Sequence, residues 1–162
     1  MDMNICYSIE NEPLGTGGGI KYALSKTAEP DITILNGDSF FGIDLDEFKF
    51  FHRKSNADVT LALKYLTDSS RYGAVGLSDS DITGFKEKEI SGNGHINGGI
   101  YQLNVKKFLE VNNQKSFSFE KDFLEKQVGK MQLKGFISDA YFLDIGLPET
   151  LEVAQKDFMA LF

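Results

Sequence analysis

Two carboxylates stand where strand-like runs give way to turn residues. Asp38 follows the apolar, β-branched run 32–35, and Asp144 closes the run 141–145 just before Gly146 and Pro148. In open α/β sheets, ligands bind just outside the carboxyl ends of the strands, where such residues would lie. Asp38 could equally serve as the N-cap of a helix that begins near residue 44. Its position alone leaves a ligand site and a helix cap open.

A glycine-rich stretch, residues 11–19, is predicted to be a loop that leads into a short helix at 20–26. Backbone N–H groups left bare before a helix lie near its positive end and suit a phosphate or the edge of a base. The stretch matches neither the P-loop pattern nor a dinucleotide fingerprint. A flexible connector explains it as well, and Lys21 would either reach a phosphate or lie in solvent.

Other polar residues offer weaker signals. Asp44 and Asp46 have the Asp-x-Asp form that binds a divalent metal in many glycosyltransferases, but acidity at a helix start is the favoured interpretation. Asn97 precedes two glycines within a predicted strand, which indicates a bulge or close approach by a ligand, and its amide could meet a sugar hydroxyl. Taken alone, the pair Glu87 and Lys88 is interpreted as the solvated end of a hairpin.

Strands and helices alternate along the chain and position these residues. Apolar alternation and β-branched runs predict strands at 4–9, 32–35 (as a buried strand), 57–66, 74–78, 82–86, 96–103, 135–139 and 141–145. Helical spacing predicts helices at 20–26, 44–54, 105–111, 120–128 and 149–158.

Composition limits the class of protein. The chain has 162 residues, 41% of them hydrophobic, which fits one globular domain. Its net charge of −7, without a basic run, argues against nucleic acid or an anionic membrane as the main partner. Cys6 is the only cysteine, so no internal disulfide can form. With no signal-like region or membrane-length apolar run, we expect a cytoplasmic protein.

Six short motifs, taken together and in order, extend over almost the whole chain. They are Glu12-Pro13-Leu14-Gly15-Thr16-Gly17-Gly18, Leu35-Asn36-Gly37-Asp38, Arg71-Tyr72-Gly73, Phe85-Lys86-Glu87-Lys88, Asn97-Gly98-Gly99-Ile100-Tyr101 and Asp144-Ile145-Gly146-Leu147-Pro148. This set resembles the sugar-1-phosphate nucleotidyltransferases. Within them it looks most like the D-glycero-D-manno-heptose 1-phosphate and mannose-1-phosphate guanylyltransferases.

The resemblance implies a fold and also an absence. It implies a Rossmann-like, three-layer α/β/α domain of GT-A-like type with a mixed sheet over residues 1–162. The family begins with a first strand and a glycine-rich signature loop that this chain lacks, so the domain is expected to be N-terminally truncated. The sheet should then present an exposed edge and uncovered apolar surface, unless another chain supplies the missing part.

The resemblance also implies a reaction, in which an NTP, GTP by preference, and a sugar 1-phosphate give an NDP-sugar for cell-surface polysaccharide and pyrophosphate. Asp38 and Asp144 would hold Mg²⁺ and act with Lys88 as the catalytic set. Nucleotide binding would fall to Leu14, Gly15, Thr16, Gly17, Gly18, Asn36 and Gly37. Sugar binding would fall to Gly73, Glu87, Asn97 and Gly98.

Two other functions stay open at this stage. The missing signature favours a non-catalytic relative that binds or senses a sugar nucleotide, and the pair Asp44 and Asp46 would suit a metal-dependent glycosyltransferase. The expected partners are the NTP and the sugar 1-phosphate, with no nucleic acid and no membrane. The sequence leaves a homo-oligomer open.

Overall fold

The computed structural model describes residues 4–69, 71–86, 92–111, 113–146 and 148–161. The predicted site residues Glu87 and Lys88, and Leu147 of the last motif, lie outside the described residues. The strands are β1 Asp31–Leu35, β2 Ser39–Phe41, β3 Val59–Leu66, β4 Ala74–Ser78, β5 Asp81–Lys86, β6 Gly94–Asn104, β7 Leu133–Ile137 and β8 Phe142–Asp144. The helices are α1 Gly15–Leu24, α2 Leu45–Lys54, α3 Val105–Val111, a π-helix Phe119–Leu124, α4 Glu125–Gln127 and α5 Pro148–Leu161.

Six of the strands form one mixed sheet in the order β1-β6-β3-β7-β5-β4, with a further pairing between β6 and β4. Strands β3 and β7 are parallel, and the other pairs in the sheet are antiparallel. Strands β2 and β8 form a separate antiparallel pair. The mixed α/β fold predicted from the sequence is confirmed.

Both faces of the sheet are covered. One core joins Val59, Leu61 and Leu63 of β3 to the helices α1 and α3 and to the π-helix. The other core joins Ala62 of β3 to Phe48 of α2. Because neighbouring residues of a strand point to opposite faces, the run 59–63 is buried throughout and separates two layers of helices. The arrangement has three layers, as expected.

Strand β1 is half-buried, although the sequence predicted a buried strand. It pairs with β6 alone among the described strands, so it forms an edge of the sheet. The predicted strand at 4–9 is wrong, because residues 4–10 are irregular and Ile5, Tyr7 and Ile9 are 62–75% exposed. Alternation makes a strand only where another strand offers hydrogen bonds, and no described strand pairs with this segment.

Two helices differ from their predicted form. Helix α1 begins at Gly15 rather than at residue 20, so Thr16 and all four glycines of the range 15–19 lie inside it. The helix predicted at 120–128 is a π-helix followed by the short α4. Among the described residues, no helix has both the length and the apolar content needed to cross a membrane.

Candidate active site

The small sheet of β2 and β8 brings the backbones of Asp38 and Asp144, the two predicted metal-binding residues, together. Ser39 lies opposite Asp144 in the register of the pair, and Ile145 N donates to the Asp38 carbonyl oxygen at 3.0 Å. Residues that are 106 positions apart in the chain thus share one corner, which we call the acidic corner and define as residues 36–39 and 144–146. Asp38 is exposed there, and the helix that follows is capped by Asp44 instead.

The Asp144 carboxylate is oriented from two sides. Its Oδ1 accepts from Gly146 N at 2.8 Å, which closes a tight turn after β8. Burial, then the charge and hydrogen bonding of Asp144, raises the pKa of the Tyr72 hydroxyl, so Tyr72 is a protonated donor to Asp144 at neutral pH. The Tyr72 ring also lies edge-on to Phe142 of β8, with centroids 6.2 Å apart. The Asp144 carboxylate thus has two partners, whereas Asp38 is exposed and makes its described contact through its backbone carbonyl.

The donor set at this corner suits a hard divalent cation. Two carboxylates supply only oxygen ligands, and Mg²⁺ is commonly held by one or two carboxylates with substrate phosphates completing its coordination. In the part of the chain that the structure describes, no group of three or more His, Cys, Asp or Glu side chains forms a fuller metal cage. The residues therefore fit magnesium shared with a substrate better than a resident structural ion.

The second acidic pair has a structural explanation. Asp44 Oδ1 accepts from Asp46 N at 2.8 Å and from Glu47 N at 3.0 Å, so its carboxylate is the N-cap of α2. Asp46 and Glu47 then lie in the first turn, where acidic side chains complement the helix dipole. These contacts support the helix-start interpretation over the metal pair of a glycosyltransferase.

The glycines of α1 pack against the segment 115–119, which precedes and enters the π-helix. A Cβ on Gly15 would lie 2.6 Å from the Phe117 carbonyl oxygen, and one on Gly17 would lie 2.1 Å from the Phe117 ring. A Cβ on Gly18 would lie 2.4 Å from the Lys115 carbonyl oxygen. Gly15 has a φ of +69°, which also favours glycine. Close approach by protein explains these three glycines without any ligand.

Hydrogen bonds hold the same two segments together. Gly17 N donates to Phe117 O at 3.0 Å, Phe117 N donates to Leu14 O at 2.9 Å, and Phe119 N donates to Thr16 Oγ1 at 2.8 Å. The predicted bare N–H group is therefore wrong for Gly17, since its N–H is paired within the protein. The nucleotide-binding role of Leu14, Gly15, Thr16, Gly17 and Gly18 stays a prediction.

A polar cavity of about 480 Å³ opens beside the π-helix. Gly73 and Asn97, two of the predicted sugar-binding residues, both line it. Its other lining residues are Ala74, Val75, Phe85, Lys86, Ser118, Glu120, Lys121 and Glu125. Gly98 does not line it: a Cβ there would lie 2.4 Å from the Phe41 ring, so this glycine gives room to a side chain of the core.

The buried Tyr101 hydroxyl joins the cavity to the acidic corner. It accepts from Asn97 Nδ2 at 2.7 Å and donates to Glu120 Oε1 at 2.9 Å. The Asn36 amide also hydrogen-bonds this hydroxyl and in doing so partly offsets the rise in the tyrosine pKa. Asn36 and Gly37 follow β1 next to Asp38, and nothing lies within 4 Å of a Cβ placed on Gly37.

Sequence reasoning missed Tyr72, Tyr101 and Glu120. Tyr72 and Tyr101 appeared only as members of family motifs, and Glu120 only as the start of a helix. No local pattern reveals a contact between a strand residue and a helix residue 19 positions later. The available signal was a tyrosine four residues after Asn97 in a predicted strand, because a tyrosine that becomes buried needs a partner for its hydroxyl.

A polar interior site lies on the other face of the sheet. His52 is 3% exposed, its Nδ1 lies 2.8 Å from Thr60 Oγ1, and its Nε2 lies 3.9 Å from Asp31 Oδ1. Burial lowers the pKa of His52 and outweighs the raising effect of Asp31. His52 is therefore a neutral residue of the core.

The candidate site thus belongs to an α/β domain with a mixed sheet, helices on both faces and a polar cavity beside the π-helix. The nucleotidyl transferase family model matches residues 1–160, and the chain belongs to this family.

Its relatives narrow the class further. The chain is 48% identical over 155 residues to the D-glycero-alpha-D-manno-heptose 1-phosphate guanylyltransferase of Aneurinibacillus thermoaerophilus, covering 96% of this chain and 67% of that protein. It is 31% identical to the mannose-1-phosphate guanylyltransferase of Mycobacterium tuberculosis, covering 98% of this chain and 45% of that protein. The crystal structure of HddC from Yersinia pseudotuberculosis superposes with a TM-score of 0.83 at 35% identity, covering 92% of this chain and 64% of that chain. The chain thus spans between about half and two thirds of the length of these relatives.

Proposed function

We propose that this chain forms the greater part of a guanylyltransferase domain that joins GTP and a manno-configured sugar 1-phosphate, of heptose or mannose type, into a GDP-sugar. The observation that carries the proposal is that Asp38 and Asp144 share one corner, which hydrogen bonds of Tyr101 to Asn36 and Asn97 connect to the cavity lined by Asn97 and Gly73. The relatives named above are guanylyltransferases of these sugar phosphates, and an HddC structure complexed with GMP-PN also superposes on this chain, with a TM-score of 0.80.

The proposed reaction needs no covalent intermediate on the protein. An oxygen of the sugar 1-phosphate attacks the α-phosphorus of GTP, and a new P–O bond forms there. The bond from that phosphorus to the bridging oxygen breaks, and pyrophosphate leaves with the electron pair. The protein contributes by positioning the two reactants and by compensating charge.

Asp38 and Asp144 would hold the magnesium ion. When bound, Mg²⁺ supplies positive charge against the phosphate oxygens. Tyr72 and the Gly146 N–H keep the Asp144 carboxylate in place, so its geometry does not have to be created during the reaction. Asp38 is exposed and can adjust to the bound phosphates.

The sugar would occupy the cavity between β4–β5 and the π-helix. Asn97 Oδ1 accepts from Gly99 N at 3.1 Å, which fixes the amide and leaves one N–H of its Nδ2 for a hydroxyl. Lys86 at the cavity wall offers positive charge for the sugar phosphate. The roles of Glu87 and Lys88 in the sugar site, like a cytoplasmic location, Mg²⁺ as cofactor and a product used in cell-surface polysaccharide, are part of this proposal.

Pyrophosphate release tests the proposal directly. We expect release that requires GTP, a divalent cation and a heptose or mannose 1-phosphate together, with ATP, CTP and UTP as matched controls. No release with any sugar phosphate, combined with tight binding of GDP-mannose, would instead establish the non-catalytic relative. Transfer of a sugar from GDP-mannose to an acceptor would establish a glycosyltransferase.

A further inference from the structure

The cavity is built from two elements that a single buried side chain connects. Asn97 reaches it from β6 and Glu120 from the π-helix, and both side chains hydrogen-bond to the hydroxyl of Tyr101. Tyr101 is 1% exposed, so this hydroxyl has no access to water. The tyrosine therefore fixes the separation of two polar groups that face the same space.

Glu120 has hydrogen-bonding capacity beyond this contact. Tyr101 uses one lone pair of Oε1, whereas an ionised carboxylate offers about four acceptor sites. The direction of the bond is set, because burial and the charge of Glu120 raise the pKa of Tyr101 and the phenol stays protonated as a donor. Because Glu120 lines the cavity, a molecule bound there can reach its remaining acceptor sites.

The structural contact alone does not require a glutamate here. A glutamine at position 120 would also accept the hydrogen bond from Tyr101, through its amide oxygen. A negative charge in a half-buried position has a desolvation cost that a neutral amide avoids. The carboxylate is a stronger acceptor than an amide and has no donor of its own, so it suits hydrogen-bond donors in the cavity. Sugar hydroxyls are such donors.

We propose that Glu120 accepts a hydrogen bond from one hydroxyl of the sugar 1-phosphate and so selects the sugar, with Tyr101 as the residue that positions it. The inference rests on the proposed function and adds a specificity residue to it. Asn97 and Glu120 would contact the sugar from two walls, and their fixed separation would discriminate between sugars that differ in the configuration of one hydroxyl.

The test uses Glu120→Gln and the set of 2-, 3-, 4- and 6-deoxy analogues of mannose 1-phosphate. In the unaltered protein, we expect one analogue to raise KM by about tenfold or more, as for the loss of a hydrogen bond to a charged group. In Glu120→Gln, mannose 1-phosphate itself should show that increase, and the same analogue should bring no further loss. KM for GTP should stay unchanged.

Glu110→Gln is the matched control. It removes the same charge from an exposed helix position, where Glu110 makes only a 4.0 Å ion pair with Lys106. It should leave KM for every analogue unchanged. Tyr101→Phe is the second variant, and we expect it to raise KM for the sugar phosphate while keeping KM for GTP, because Glu120 and Asn97 lose their common anchor.

The outcomes separate this inference from the function on which it rests. If the unaltered protein releases pyrophosphate and Glu120→Gln keeps the full preference among the deoxy analogues, the role of Glu120 is wrong and the proposed function stands. If no pyrophosphate is released, calorimetric titration with mannose 1-phosphate and its analogues still decides on Glu120. An absence of any sugar phosphate binding would overturn both.

Discussion

The glycines of α1 and the glycine of the acidic corner differ in what fills the space beside them. Gly15, Gly17 and Gly18 each have protein atoms within 3 Å of the place that a Cβ would take. Gly37, beside Asp38, has nothing within 4 Å. Glycine is needed in the first region because another segment of the chain approaches closely, and no contact within the protein explains it in the second. The space beside Gly37 is therefore open, whereas protein atoms fill the space beside the glycines of α1.

The carboxylates repeat this contrast. The Asp44 side chain caps α2, so its Oδ1 is already engaged in hydrogen bonds within the fold. Asp38 is exposed, and only its backbone carbonyl has a described contact. Residue types that are typical of a site thus divide into those that the fold uses and those that it leaves available. Substitutions in the two groups should affect different properties.

The largest expected effect belongs to Asp38. Asp38→Asn should lower kcat by about 10²–10³, as when one preorganised stabilising group is lost, while the free energy of unfolding stays within about 0.5 kcal/mol. Steady-state pyrophosphate release and urea unfolding measure the two quantities. Unchanged turnover at saturating Mg²⁺ would contradict the proposed metal-holding role.

The second prediction adds the same methyl group to a glycine in each of the two regions. Gly18→Ala should lower the free energy of unfolding by about 1–3 kcal/mol, because the added methyl group meets the Lys115 backbone. Gly37→Ala should leave it nearly unchanged and should instead raise KM for GTP. Gly19→Ala serves as the control within α1, since only the side chain of Glu10 lies near its Cβ position. Equal stability loss in Gly18→Ala and Gly37→Ala would abolish the contrast.

The third prediction concerns Asp44, the N-cap of α2. Asp44→Ala should cost about 1 kcal/mol of stability through the lost N-cap, and Asp44→Ser should restore most of it. Both variants should keep kcat for pyrophosphate release. A loss of turnover that Ser does not rescue would show that Asp44 takes part in the chemistry after all.

The smallest expected effect concerns pH and the buried His52. Its folded pKa lies below the ordinary value of 6.5, so below that pH the unfolded chain binds a proton that the folded chain does not. The stability contributed by neutral His52 is present above pH 6.5 and is lost as the pH falls. His52→Gln, which keeps a partner for Thr60, should lose less stability than the unaltered protein between pH 7 and pH 5.5. An equal shift of the urea midpoint between pH 7 and pH 5.5 in the two proteins would contradict this prediction.

The sequence predicted the interior strands well and the segments with unusual contacts poorly. Strand β3, the β4–β5 hairpin and β6 carry strong apolar patterns, and each lies where its pattern predicted. The start of α1 was wrong because glycine disfavours a helix locally, whereas contact with Phe117 requires glycine there. The strand at 4–9 was wrong because alternation does not supply a pairing partner.

The site was predictable to the extent that its residues follow strand ends. Both Asp38 and Asp144 lie at strand ends, as predicted, but Asp38 lies between β1 and β2 and not before a helix. Nothing in the sequence indicated that β2 and β8 would pair and bring the two residues together. The hydrogen bonds among Asn97, Tyr101 and Glu120 depend on the packing of the π-helix against β6. Such contacts between distant segments have no local pattern and emerge only from the fold.

The irregular part of β6 has a consequence for how this site can vary. Leu61 faces Tyr101 and Leu63 faces Asn97, so four residues of β6 span two residues of β3, and Gly99 has a φ of +76° within that interval. The even number of extra residues keeps Asn97 and Tyr101 on the same side of the sheet and brings Asn97 within reach of the tyrosine hydroxyl. Deleting one residue between them would leave the inner half of the strand in register. It would also turn Asn97 to the opposite face of the sheet, so we expect a single-residue deletion between Asn97 and Tyr101 to abolish the hydrogen bond between their side chains.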